Sequence, residues 1–210
     1  MNFIDDDVAE YLRRLCDRFD RPLLVEMEQL AAEQKFPIVG RVVGALLEML
    51  TRSIKARRVF ELGSGFGFSA YWFARGVGSG GEVVLTDTDA ANTEKAKDFL
   101  TRAGLASRCQ FVTGDALGSL LTSDGQYDIV YCDIDKTGYP AAFEVAAERI
   151  KQGGYFLCDN VLWSGRVAKE DDDDNTRAIR ALNEAVYADP RYLPSIIPIR
   201  DGVLAALRVK

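Results

Sequence analysis

Histidine is absent from all 210 residues, and that absence excludes more chemistry than any other feature of the sequence. Imidazole is the usual general base near neutral pH and the commonest metal ligand. Ser-His-Asp and Cys-His catalysis and every His-ligated zinc or iron centre are therefore ruled out. Cysteine is scarce: Cys16, Cys109, Cys132 and Cys158 include no C-x-x-C pair, which removes the thioredoxin and zinc-ribbon patterns. Cys109, Cys132 and Cys158 lie in or beside apolar runs, where free thiols pack as small hydrophobes, so a reducing, cytoplasmic setting is expected. No apolar run approaches the roughly 18 residues of a membrane span. The first 20 residues are acidic and show no leader-like apolar core. Positive charge is in deficit as well: 26 Lys+Arg against 32 Asp+Glu leave a formal charge of −6, which argues against broad binding of nucleic acid or of an anionic membrane.

The residues present, 48% hydrophobic and 28% charged, suit a globular chain. Residues 1–55 read as helices: Val8, Leu12 and Leu15 recur at helical spacing, Leu23, Leu24, Met27 and Leu30 follow Pro22, and Val42, Val43, Leu46, Leu47 and Leu50 lie on a third helix over 39–53 after the Phe36-Pro37 break. From Arg57 the period changes. Strand-like runs at 59–62, 82–86, 109–113, 127–132 and 155–158 alternate with helical stretches starting near Ser69 and over 90–103, 116–122 and 139–151. Such alternation indicates a parallel sheet with right-handed crossovers. After a helix over 176–188, the runs 192–199 and 203–209 flank Asp201-Gly202, a hairpin signal. The expected fold is α/β: a Rossmann-like, doubly wound, seven-stranded and mainly parallel sheet with a C-terminal antiparallel hairpin. Residues 1–55 would form an N-terminal helical cap or dimer surface on a 56–210 core, all in one domain.

Gly63-Ser64-Gly65-Phe66-Gly67 between a strand and a helix makes a tight turn that lets a ligand approach the backbone. The third glycine comes one place too early for the dinucleotide pattern G-x-G-x-x-G. Asp87 ends the second strand, where a carboxylate can accept both hydroxyls of an adenosine ribose. Glu61 ends the first, and an acid there is awkward for a pyrophosphate but suits a cationic ligand. S-adenosylmethionine, with a sulfonium, an ammonium and no phosphate, fits that charge pattern better than NAD.

A second constellation lies at the ends of two later strands. Tyr127–Cys132 runs into Asp133-Ile134-Asp135-Lys136, and Tyr155–Cys158 into Asp159-Asn160. Ligands bind outside the carboxyl ends of an open parallel sheet, and with one helix between them the two strands are expected to be neighbours. Asp133, Asp159 and Asn160 would then offer three oxygens to one Mg²⁺, Mn²⁺ or Ca²⁺. Two carboxylates leave a divalent ion formally neutral and still receptive to an oxyanion. Asp171–Asp174 is a rival acidic cluster, but consecutive Asp residues usually form a solvated loop.

These residues resemble a known family. Val59–Ser69, Gly114-Asp115-Ala116-Leu117, Asp133-Ile134-Asp135-Lys136 with Tyr139, Asp159-Asn160-Val161-Leu162-Trp163-Ser164-Gly165 and Ile199-Arg200-Asp201-Gly202 resemble, in order, the cation-dependent class I O-methyltransferases of the catechol and caffeoyl-CoA type, from about Pro37 to the C-terminus. The resemblance implies that Glu61, Gly63, Ser69, Asp87, Ala116 and Asp133 bind S-adenosylmethionine, with Val39 reaching in from the preceding helix. It implies that Asp133, Asp159 and Asn160 hold Mg²⁺ or a similar ion, that Lys136 is the base with Asp133 beside it in the catalytic set, and that the protein is a homodimer. A neighbouring cation disfavours an ammonium, which suits Lys136 to that role, and Trp163 is expected to wall the acceptor. A small phenolic or catechol-like acceptor ranks first. The family also methylates a hydroxylated uridine in tRNA, for which Arg13, Arg14, Arg18, Arg21, Arg52, Lys55, Arg57 and Arg58 could form a basic rim. A nicotinamide-dependent oxidoreductase and a non-catalytic binding module are the readings of other classes.

Overall fold

A computed structural model describes residues 5–18 and 21–210. The amino-terminal part is helical: α1 (Asp6–Leu15), α2 (Arg21–Gln34) and α3 (Gly40–Ser53). The apolar spacing of α2 and α3 marks their packed faces, since Leu24, Met27, Val43 and Leu47 are fully buried. On α1 the same signal misleads: Val8, Tyr11 and Leu15 are about half exposed, because a helix at the edge of the molecule has little to pack against. Arg41 of α3 is buried and is forked by Glu28 of α2 at 2.8 Å and Asp17 at 2.6 Å, so its charge leaves water only with two carboxylates beside it. Gly44 lets α3 approach the next helix, because a Cβ there would stand 2.1 Å from Nε1 of Trp72.

Among the described residues seven strands form one sheet: β1 (Arg58–Leu62), β2 (Glu82–Asp87), β3 (Cys109–Thr113), β4 (Tyr127–Cys132), β5 (Ile150–Cys158), β6 (Tyr192–Ile197) and β7 (Val203–Arg208), in the order β3-β2-β1-β4-β5-β7-β6. β1 pairs parallel with β2 and β4, β2 with β3 and β4 with β5; β7 runs antiparallel between β5 and β6. The crossovers are α4 (Phe68–Val77), α5 (Ala90–Arg102), α6 (Ala116–Thr122) and α7 (Tyr139–Arg149), and α8 (Asp174–Ala188) precedes the hairpin. Strand residues alternate between two cores: Val59, Val83 and Ile129 face the side covered by α2–α4, whereas Phe60, Val84 and Val130 face the side of α6–α8.

Three local expectations are corrected. β5 begins at Ile150, not Tyr155, and α7 ends at Arg149; Gly153 and Gly154, with no side chains to show an alternation, hid the start of the strand. The hairpin connection spans 198–202 rather than two residues, with Ile199 outside the strand. Pro198 has no N–H for the ladder, and the left-handed Arg200 and Gly202 turn the chain, closed by the Gly202 N–H on the Ile199 carbonyl at 2.9 Å. Cys109 is half-buried rather than buried, although its thiol is pushed up to about 12, chiefly by burial. No helix among the described residues is long and apolar enough to cross a membrane.

Candidate active site

A cavity of about 1200 Å³ opens at the carboxyl ends of the parallel strands, where the strand order reverses between β1 and β4. Its floor is the glycine turn. Gly63 has φ 79°, and a Cβ on it would lie 2.5 Å from the Asp133 carbonyl oxygen; Gly65 has φ 51°, and a Cβ there would meet the Phe36 ring at 2.7 Å. No other residue type fits either place without moving a neighbour. Thr86 ties the turn to β2, its hydroxyl donating to the Glu61 carbonyl at 2.8 Å. Asp87 lines the cavity with its carboxylate already oriented by the N–H groups of Gly65 at 2.9 Å and Asp89 at 2.8 Å. Val39, Gly63, Ser69, Ala116 and Asp133 line the same cavity.

Glu61 is the departure from the expected set. Its side chain is fully buried and sits behind the cavity wall, where Oε1 accepts the Ser69 hydroxyl hydrogen and Oε2 has no partner. Burial, and then the negative charges of Asp133 and Asp87, push its carboxyl up to about 8, against the Ser69 hydrogen bond.

The second constellation assembles as the strand pairing requires. Cys132 and Cys158 are register partners on β4 and β5, so the next residues, Asp133 and Asp159, emerge side by side. Lys136 Nζ donates to Asn160 Oδ1 at 2.7 Å, Tyr139 Oη at 2.8 Å, Asp133 Oδ1 at 3.1 Å and the Ile134 carbonyl at 3.3 Å. Tyr139 in turn donates to the Asp159 carbonyl at 2.8 Å, which fixes the lysine against both strand ends. Asp159 is buried with Oδ1 unpartnered, and burial followed by repulsion from Asp133 raises its carboxyl to about 7. Burial also raises Asp133, opposed by Lys136. Two carboxylates under strain, an orphaned carboxylate oxygen and an amide oxygen now bonded to an ammonium form a donor set that fits a hard divalent cation. Among the described residues no three His, Cys, Asp or Glu side chains gather into a rival site.

The loop after Asp159 is held in an unusual shape. Asn160, Trp163 and Ser164 all have positive φ (59°, 47° and 52°). The β6–β7 turn pins the loop: Val161 and Leu162 N–H groups donate to the Gly202 and Asp201 carbonyls at 3.1 and 2.9 Å, and the Asp201 carboxylate accepts the Ser164 N–H. Trp163 thereby lines the cavity, 6.0 Å from Lys136 Nζ by its ring centre. Tyr139, Thr86 and Arg200 are site residues to which the sequence reading assigned no role. Only the offset of Tyr139 from Lys136, three residues along a helix start, hinted at the first.

The acidic cluster and several of the basic residues have partners within the chain. Asp171 pairs with Arg166 at 2.5 Å, Asp173 caps α8, and Asp174 pairs with Arg177. Of the basic residues, Arg13 pairs with Glu10, Arg52 with Glu48, and Arg58 with Glu82, while Arg57 holds the Val77 and Ser79 carbonyls. Arg57 and Arg58 also stand at the amino end of β1, the opposite edge of the sheet from the cavity. The side chains of Arg18 and Arg21 lie outside the described residues.

The comparisons with known proteins converge. The O-methyltransferase family pattern matches residues 16–209. A catechol O-methyltransferase of Mycobacterium tuberculosis is 38% identical over 161 residues, 76% of this chain and 73% of that protein. A caffeoyl-CoA O-methyltransferase of Populus trichocarpa is 30% identical over 200 residues, 88% of this chain and 81% of its own length. Among solved structures, the O-methyltransferase from Bacillus cereus in complex with SAH superposes with a TM-score of 0.84 at 28% identity, covering 94% of this chain and 97% of that one. A doubly wound sheet with its cavity at the strand reversal, a glycine turn backed by acids, and these relatives agree on one conclusion: the chain belongs to the class I S-adenosylmethionine-dependent O-methyltransferases of the catechol and caffeoyl-CoA group.

Proposed function

We propose that the protein methylates a hydroxyl of a small catechol-like or phenolic acceptor, with a divalent cation, Mg²⁺ or a relative such as Mn²⁺ or Ca²⁺, held by Asp133, Asp159 and Asn160. The observation that carries this reading is the meeting of Lys136 Nζ with Asp133 and Asn160 beside the unpartnered Asp159 Oδ1, on one wall of the cavity floored by the glycine turn. When bound, S-adenosylmethionine supplies an electrophilic methyl group and the cation supplies the Lewis acidity that eases ionisation of a hydroxyl.

The chain's own groups do the rest. Asp87, preset by two backbone N–H groups, offers carboxylate lone pairs to ribose hydroxyls. Gly63 and Gly65 leave room for the ligand at the backbone, and Val39 and Ala116 close the walls around it. Lys136, as the neutral amine that a bound cation would favour, is the group we assign to take the acceptor proton, with Tyr139 beside it. Trp163 offers a flat face to an aromatic ring. Fixing the acceptor oxygen in line with the methyl carbon and sulfur supplies much of the rate.

The test is labelled S-adenosylmethionine with a panel of catechols and, separately, total tRNA from cells lacking the protein, each with Mg²⁺ and with EDTA. Label in the catechols that disappears with EDTA is the expected result. Label confined to tRNA overturns the acceptor class, and label that survives chelation overturns the cation.

A further inference from the structure

Resting on that reading, one residue of the cavity points to the chemistry of the acceptor itself. Arg200 lines the cavity at the turn between β6 and β7, with φ 49°. That conformation costs any residue with a Cβ, and glycine occupies the turn's other left-handed position, Gly202.

The guanidinium is also positioned. Its Nη1 donates to the Ile38 carbonyl at 2.8 Å, against the segment that walls the cavity. Gly40 makes room for it, since a Cβ there would stand 2.5 Å from Nη1. One bond leaves most of the five guanidinium N–H donors uncommitted, and no carboxylate among the described residues pairs with Arg200. The nearby acids are engaged elsewhere: Asp201 accepts the Ser164 N–H, and Glu28 is forked by Arg41.

We propose that Arg200 is a specificity-determining residue that recognises an anionic substituent, a carboxylate, on the acceptor ring, away from the oxygens held at Asp133, Asp159 and Asn160. Arg200 is exposed at the rim of the cavity, and a planar guanidinium with free N–H groups there is suited to a paired, charge-assisted contact with a carboxylate.

The experiment compares 3,4-dihydroxybenzoate with its methyl ester, which differ in charge and hardly in shape. Binding is followed by calorimetry in protein saturated with S-adenosylhomocysteine, without and with Mg²⁺, and methylation is followed alongside. The wild type is expected to prefer the acid by about tenfold, the preference to fall to about one in Arg200→Gln, and Arg200→Lys to keep part of it, a point charge without the fork. Raised salt should compress the wild-type preference. A wild-type preference near one, or one unchanged in Arg200→Gln, overturns the proposal, and the wild-type ratio reads it even if a variant fails to fold. Loss of preference in the variant with neither compound methylated supports the subsite while overturning the reaction; methylation of both with no preference for the acid overturns the subsite alone.

Discussion

Glu61→Gln tests whether a buried acid is held neutral behind the cofactor pocket. Glu61 has no exposed surface, one hydrogen-bond donor, Ser69, and a second oxygen with no partner, so ionising it leaves a charge with little to stabilise it. Its carboxyl stands near 8 in the folded chain against an ordinary 4.5. Between those values the folded state keeps the proton that the unfolded chain has released, so rising pH favours unfolding. Integrated from pH 5 to pH 8, Glu61 alone removes about 3–4 kcal/mol of stability, roughly 10 °C in Tm for a chain of this size. Glutamine mimics the neutral acid at every pH. The variant, offset by a constant for its amide, should therefore gain on the wild type by that amount across the interval. Subtracting the two curves removes the parallel pH dependence of Asp133 and Asp159. Urea unfolding of both proteins at half-unit pH steps measures the difference. A difference that stays flat from pH 5 to pH 8 refutes the reasoning, because it would mean that Glu61 is ionised in the folded chain or hydrated there. A second arm uses the ligand: a cation bound in the cavity favours the carboxylate, so S-adenosylmethionine binding at pH 7 should release more protons in the wild type than in the variant. Calorimetry in buffers of different ionisation enthalpy reads that difference.

Asp159→Ala should abolish catechol methylation while changing S-adenosylhomocysteine affinity by no more than about threefold, since it removes a cation ligand without touching the glycine turn; residual activity in the variant counts against the site. Lys136→Met should lower the single-turnover rate by about 10²–10⁴ and acceptor affinity far less, and an unchanged rate would remove Lys136 as the base. Gly44→Ala forces a methyl group against Trp72 and should cost about 1–3 kcal/mol or more, visible as a lower Tm; a neutral result would show that α3 can slide on α4.

Sequence alone determined the fold class and most of the polar site, and the reason is local. An alternation of apolar runs with helical periods specifies a parallel sheet, and a parallel sheet puts its ligand at the carboxyl strand ends. Glu61, Asp87, Asp133 and Asp159 could therefore be placed by counting from the last apolar residue of each strand. The absence of histidine left only oxygen and lysine chemistry to consider, and the chain order supplied both. Tertiary structure decided what local pattern cannot carry. Whether an apolar helix face is covered depends on neighbours, and so α1 keeps Val8, Tyr11 and Leu15 in solvent while α3 is buried. Whether a strand-end acid faces the cavity or lies behind it depends on the packing above it, which buries Glu61 behind the wall and leaves Asp87 lining the cavity. The contacts of Lys136 with Asn160, of Asp201 with Ser164 and of Arg200 with Ile38 join residues 24, 37 and 162 positions apart. No spacing rule spans such separations; they exist only once β5, β7 and α3 have docked around one cavity.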